Sequence, residues 1–90
     1  MYKVKIIKNT CPACPSQWEG KTDKGRDIYI RYRWGYLTVQ IDGVQGREIL
    51  GMDLGRGNWD GVLNFHDMKN FTKSVLNFEG VELERRFNKC

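Results

Sequence analysis

The chain has 90 residues, 40% of them hydrophobic and 29% charged, with a formal net charge of +4 at neutral pH. That length makes one domain over residues 1–90, with a modest core and little room for a deep active site; the composition excludes a disordered chain. No apolar run approaches the ~18 residues of a membrane span, and the apolar part of MYKVKIIKN is too short and interrupted for a signal peptide, so no membrane is expected and a reducing cytoplasm is the default location.

Residues 2–8, YKVKIIK, alternate as a strand with Tyr2, Val4 and Ile6 inward. Lys3 and Lys5 then point outward and suit a sheet edge, where charge discourages pairing with another molecule. Residues 9–15, NTCPACP, read as a connector, because two prolines and an asparagine oppose regular structure. Residues 16–22, SQWEGKT, read as a second strand, turned by Asp23-Lys24-Gly25 with Gly25 in the left-handed region.

Residues 26–41, RDIYIRYRWGYLTVQI, read as a hairpin with Trp34-Gly35 at its tip. A two-residue turn there pairs Arg33 with Tyr36, Arg31 with Thr38, Tyr29 with Gln40 and Ile28 with Ile41. One face then carries Ile28, Ile30, Tyr32, Leu37, Val39 and Ile41. The other carries Tyr29, Arg31, Arg33, Tyr36, Thr38 and Gln40. Closing the upstream turn between Thr22 and Arg26 sets Trp18 opposite Ile30 and Glu19 opposite Tyr29, so two turns choose the same buried side.

Asp42 to Gly46 is a further turn, and residues 47–54, REILGMDL, a strand with Leu50, Met52 and Leu54 on one side. Gly51 weakens it and marks a candidate bulge. Residues 55–61, GRGNWDG, read as a loop. Residues 64–72, NFHDMKNFT, read as a helix capped by Asn64, with Asp67 in its first turn and Phe65, Met68 and Phe71 on one face. Its end falls at Thr72 or as late as Phe78. Residues 81–87, VELERRF, alternate as a last strand, with a short helix as the competitor. The expected fold is α+β: an antiparallel meander of four to five strands, with one helix from the C-terminal half packed on a face.

Charge is uneven. Residues 1–47 hold nine Lys/Arg against four Asp/Glu, and residues 48–90 hold six against seven. The basic character belongs to the strand-rich half, which favours nucleic acid, nucleotides or acidic protein surfaces, or is plain solvation. The block CPSQWEGKTDKGRDIYIRYRWGYLTVQI, residues 14–41, resembles one shared by small proteins of bacteria and their phages, a group that brings no activity with it. The resemblance implies a compact stand-alone protein, phage-borne, whose natural work is to bind a host factor or signalling molecule.

Three clusters carry chemistry. The first is Tyr29, Arg31, Arg33 and Tyr36 on one sheet face. Guanidinium groups bind phosphate by paired hydrogen bonds, and tyrosine rings stack on bases. The structural alternative stacks Arg33 on Tyr36 and sets Arg31 beside Glu19 or Gln17; if the helix covered this face, the arginines would need buried partners. The second is Cys11-Pro-Ala-Cys14, whose spacing lets two thiolates grip one zinc, with His66 and Cys90 completing a Cys₃His set. Plain reduced thiols and a disulfide are the alternatives, plain thiols leading. The third is the loop 55–61, where backbone amides and Arg56 could hold an anion, although the P-loop ending is missing.

His66 is the single histidine and has no nucleophile motif beside it, and no catalytic signature is present, so no enzyme is expected and no cofactor other than zinc. The leading reading is a small basic binding protein that takes nucleic acid or a nucleotide on Tyr29, Arg31, Arg33 and Tyr36, assisted by Arg56. The alternatives are a protein-binding module, such as a phage-encoded inhibitor of a host protein or a homo-oligomer pairing through a sheet edge, and a structural zinc domain.

Overall fold

A computed structural model describes residues 1–11, 16–43, 46–54 and 63–81, and the backbone of 83–84. The elements run β1 (Tyr2–Cys11), β2 (Ser16–Thr22), β3 (Asp27–Arg33), β4 (Tyr36–Ile41), β5 (Arg47–Asp53), α1 (Phe65–Thr72), β6 (Leu76–Asn77) and β7 (Leu83–Glu84). Among the described residues they form one sheet in the order β5-β4-β3-β2-β1-β6, with β7 also on β1. The fold is small, sheet-dominated and broadly α+β, with the sheet curled around one side.

The hairpin β3–β4 has the register that its alternation demands, from Ile28↔Ile41 to Arg33↔Tyr36. Its tip has φ of 54° at Trp34 and 76° at Gly35, the paired positive values of a type I′ turn. The β2–β3 pairing likewise joins Lys21 to Asp27, Glu19 to Tyr29 and Trp18 to Ile30. Thr22 closes that turn: its amide donates to the Arg26 carbonyl at 2.8 Å, and its Oγ1 accepts from the amides of Arg26 at 3.1 Å and Lys24 at 3.3 Å.

The first strand departs from the expected pattern. It runs to Cys11, so the connector begins later than residue 9. Its register on β2 shifts between Val4 and Ile6, and again between Asn9 and Cys11. Each shift inserts a residue, and a one-residue slip turns later side chains over. Val4 and Ile7 are therefore the buried residues, and Ile6 faces the other way beside Lys21. Asn9 bridges the second bulge, its Nδ2 donating to the carbonyls of Gln17 at 2.9 Å and Cys11 at 3.2 Å.

The antiparallel meander covers only β1 to β5. Leu76–Asn77 pair in parallel with Tyr2–Lys3, and Leu83–Glu84 in parallel with Ile7–Lys8. The sheet is mixed, and β1 is interior where the lysine pattern suggested an edge. The helix α1 is the crossover that makes parallel pairing feasible, since such a connection needs a dozen or more residues. It begins where expected: the Asn64 side chain accepts from the Asp67 amide at 2.8 Å. It ends at Thr72, whose Oγ1 turns back to the Met68 carbonyl at 2.8 Å, a bond that competes with helix continuation.

The core is one cluster on the apolar face of the sheet: Val4, Ile7, Trp18, Ile28, Ile30, Tyr32, Leu37, Val39 and Ile41, closed by Leu63, Met68 and Leu76. Phe65 and Phe71 pack against its margin. The Leu63 amide donates to Ser16 Oγ at 3.0 Å, pinning the helix approach to β2. The helix thus covers the apolar face and leaves the Arg31 face of β3 uncovered by α1.

Candidate binding face

Alternation along β3 and β4 sorts the hairpin into fully buried residues and residues that keep contact with solvent. Tyr29, Arg31, Arg33, Tyr36, Thr38 and Gln40 belong to the second set. The structure therefore brings the four proposed ligand-binding residues onto one face. Gln17 joins Arg31 from β2, and Glu19 joins Tyr29.

Arg31, Arg33, Trp34, Tyr36 and Thr38 line a single depression of about 340 Å³. Trp34 is the member that strand alternation missed, because it sits in the turn. Its ring is 60% exposed and lies under the Arg33 guanidinium, whose carbon is 4.0 Å from the ring centroid. Arg33 thus stacks on Trp34, and not on Tyr36 as the structural alternative had it. Flanking positions in a tight turn bring the two side chains together, and the indole is the stronger cation acceptor. The sequence signal was present: an indole where Asn or Asp tolerates positive φ better. Strained positions of this kind cluster at functional sites.

Tyr36 is 45% exposed and reaches across the face towards β5. A Cβ at Gly51 would lie 2.5 Å from Tyr36 Oη and 3.1 Å from Glu48 Oε2. Gly51 therefore leaves room for the phenol. The register shift of β5 falls beside it, between Val39 and Gln40 of β4.

Neither arginine makes an ion pair among the described residues; the acidic partners there belong to Lys21, Arg26 and His66. Arg31 Nε is shielded from solvent with no hydrogen-bond partner among the described residues, a donor whose burial is uncompensated there. Tyr29 beside it is held above its ordinary pKa, chiefly by burial; Arg31 opposes the shift and Glu19 adds to it. The phenol is neutral at physiological pH and able to donate.

The face is less basic than the charge count of residues 1–47 implies. Register places Glu19, Asp27 and Asp53 on it, with Glu48 opposite Gln40 at its β5 end. Lys21 is taken by Asp27 at 2.7 Å. Of the lysines of β1, Lys8 stands opposite Glu19 on this face without an ion pair to it. Among the described residues, the cations of this face without an ion pair are Arg31, Arg33 and Lys8.

Cys14, Cys90, Arg56 and the loop 55–61 lie outside the described residues. Of the remaining zinc candidates, Cys11 is buried with its sulfur in a disulfide. It is neither the plain thiol that led the sequence reading nor, in that state, a thiolate ligand. His66 is exposed on α1, its Nδ1 3.6 Å from Asp67 Oδ1. Among the described residues no three His, Cys, Asp or Glu side chains are grouped to hold a metal ion, and no helix is long and apolar enough to cross a membrane.

No family model, curated protein or solved structure matches the chain.

Proposed function

We propose that the protein is a non-enzymatic binding protein that takes a nucleotide on the open sheet face, with the phosphate between Arg31 and Arg33. One observation carries this reading: two guanidinium groups without carboxylate partners among the described residues line one depression with aromatic side chains, on the face that α1 does not cover. Guanidinium forks bind phosphate oxygens in pairs, and aromatic rings offer a base about 1–3 kcal/mol of stacking. Same-face neighbours on a strand are roughly 7 Å apart, so the two forks converge on one phosphate group or two joined ones. The carboxylates around the depression favour a single nucleotide over a long polyanion, which gains affinity from every unopposed cation along its path.

The test is titration of nucleotides and short single-stranded oligonucleotides at low and high salt, with Arg31→Ala/Arg33→Ala as the variant. Binding at low salt should weaken as salt rises, and the double variant should lose at least about 100-fold, some 2.7 kcal/mol, while melting near wild type. Absence of nucleotide and oligonucleotide binding at low salt would overturn the reading. So would a collapse of stability in the double variant, which would make the arginines structural.

A protein partner is the second reading, favoured by the exposure of Trp34 and Tyr36 beside two arginines. Trp, Tyr and Arg dominate the energetics of protein interfaces. A phage-encoded inhibitor of a host protein would use the same face, and its mark would be a Trp34-dependent complex with little response to salt.

A further inference from the structure

The same face carries a second depression, of about 410 Å³, one step down β3 from the first. Its walls are of a different kind. Ile6 supplies apolar surface, and Tyr29 stands between it and Arg31. Ile6 is there because the bulge after Val4 turns it out of the core. Two carboxylates, Glu19 and Asp27, and two lysines, Lys8 and Lys21, border the space. Asp27 is engaged by Lys21 at 2.7 Å, whereas Glu19 makes no ion pair among the described residues. The two depressions are adjacent: Tyr29 and Arg31 are same-face neighbours, and Arg31 is close enough to act on the Tyr29 phenol.

We propose that this second depression is the nucleoside half of the site, and that Glu19 selects a ribose. The inference rests on the nucleotide reading of Arg31 and Arg33 and adds the ligand's orientation and class, a ribonucleoside 5′-phosphate. The phosphate lies at Arg31 and Arg33, and the sugar and base extend towards β1 and β2. Chemistry matches position along this line. A carboxylate repels phosphate but accepts two hydrogen bonds from a vicinal diol. Tyr29 gives the base a ring to stack on, and Ile6 gives it an apolar wall. The roughly 7 Å between same-face neighbours on β3 suits the step from a phosphate to its own sugar. With the orientation reversed, the base would meet two arginines, and the phosphate would meet Lys8 only beside the Glu19 carboxylate.

The experiment compares ADP with 2′,3′-dideoxy-ADP, on wild type, Glu19→Gln and Arg31→Ala/Arg33→Ala, at one low salt concentration. Thermal melting of each variant is the control for folding; Glu19 is exposed, so Glu19→Gln should melt as wild type does. Wild type should prefer ADP by about tenfold or more, the scale of one charged hydrogen-bond pair. Glu19→Gln should erase most of that preference by weakening ADP alone, and the arginine variant should lose both ligands. Equal binding of the two probes by wild type would overturn the ribose assignment. A preference that survives Glu19→Gln would do the same. In either case, loss of binding in the arginine variant would leave the phosphate site standing. If neither probe binds wild type, this inference fails, and the phosphate reading is decided by the wider titration of nucleotides and oligonucleotides.

Discussion

Gly20 is the position where a single methyl group should test the architecture hardest. It lies mid-strand in β2, paired with Ile7 of β1 and Ile28 of β3. A Cβ there would press into the Ile6 carbonyl oxygen, and would stand 3.0 Å from both Ile6 C and Ile7 Cα. All three are backbone atoms beside a bulge, so no rotamer change relieves the contact. Gly20→Ala must move β1 away from β2. Stretching two ladder hydrogen bonds costs about 1–3 kcal/mol in all, and loosening the fully buried Ile7 costs a further 1–2 kcal/mol or so. A loss near 3 kcal/mol is a large part of the ~5–13 kcal/mol available to a domain of this size, and should lower Tm by roughly 12–24 °C. Gly25→Ala is the control: φ is +79° but nothing lies within 4 Å of its Cβ, so it bears strain alone, about 1–2 kcal/mol. Urea and thermal unfolding, followed by Trp fluorescence and far-UV circular dichroism, measure both. If Gly20→Ala cost no more than Gly25→Ala, the close approach of β1 to β2 would be refuted.

Trp34→Asn should leave Tm within a few degrees of wild type or raise it, since Asn tolerates the φ of 54° and the gain offsets an exposed cation–π contact worth about 0.5–1 kcal/mol. The same variant should weaken ADP binding several-fold by releasing Arg33; a Tm loss above about 8 °C, or unchanged binding, would contradict the role given to the indole. Asp42 is held below its ordinary pKa by hydrogen bonds from Arg26 Nε at 3.2 Å and Nη2 at 2.8 Å. A carboxyl lowered on folding favours the folded state above its unfolded pKa, and that contribution fades as pH falls through the lowered value. Asp42→Asn, which keeps a residue tolerant of positive φ, should therefore melt below wild type near neutrality and converge with it in acid; parallel melting curves across the acid range would show the pair to be inert.

Much of this molecule is decided by short-range chemistry. Residues 16–41 carry two turn signals and strict alternation, and each turn is closed by residues at most a few positions away. Their register, their buried set and the common face of Tyr29, Arg31, Arg33 and Tyr36 follow from that pattern alone. The cap of α1 is legible for the same reason, since Asn64 and Asp67 need only each other.

Long-range packing decided the rest. The bulge that turns Ile6 outward exists only against β2, where Gly20 lets two backbones meet. The parallel pairs at Leu76–Asn77 and Leu83–Glu84 are two residues long, too short to carry any periodicity. Which face α1 covers depends on Leu63, Met68 and Leu76 finding the apolar side of a sheet made by distant residues. The charge of the open face depends likewise on β2, β3 and β5 bringing carboxylates beside the arginines. Alternation could place Arg31 and Arg33 on a face, and the tight turn sets Trp34 under Arg33; only the assembled sheet put Glu19 beside Ile6 and Lys8 of β1 in the neighbouring depression, because the bulge that shifts β1 against β2 has no local signal in the chain.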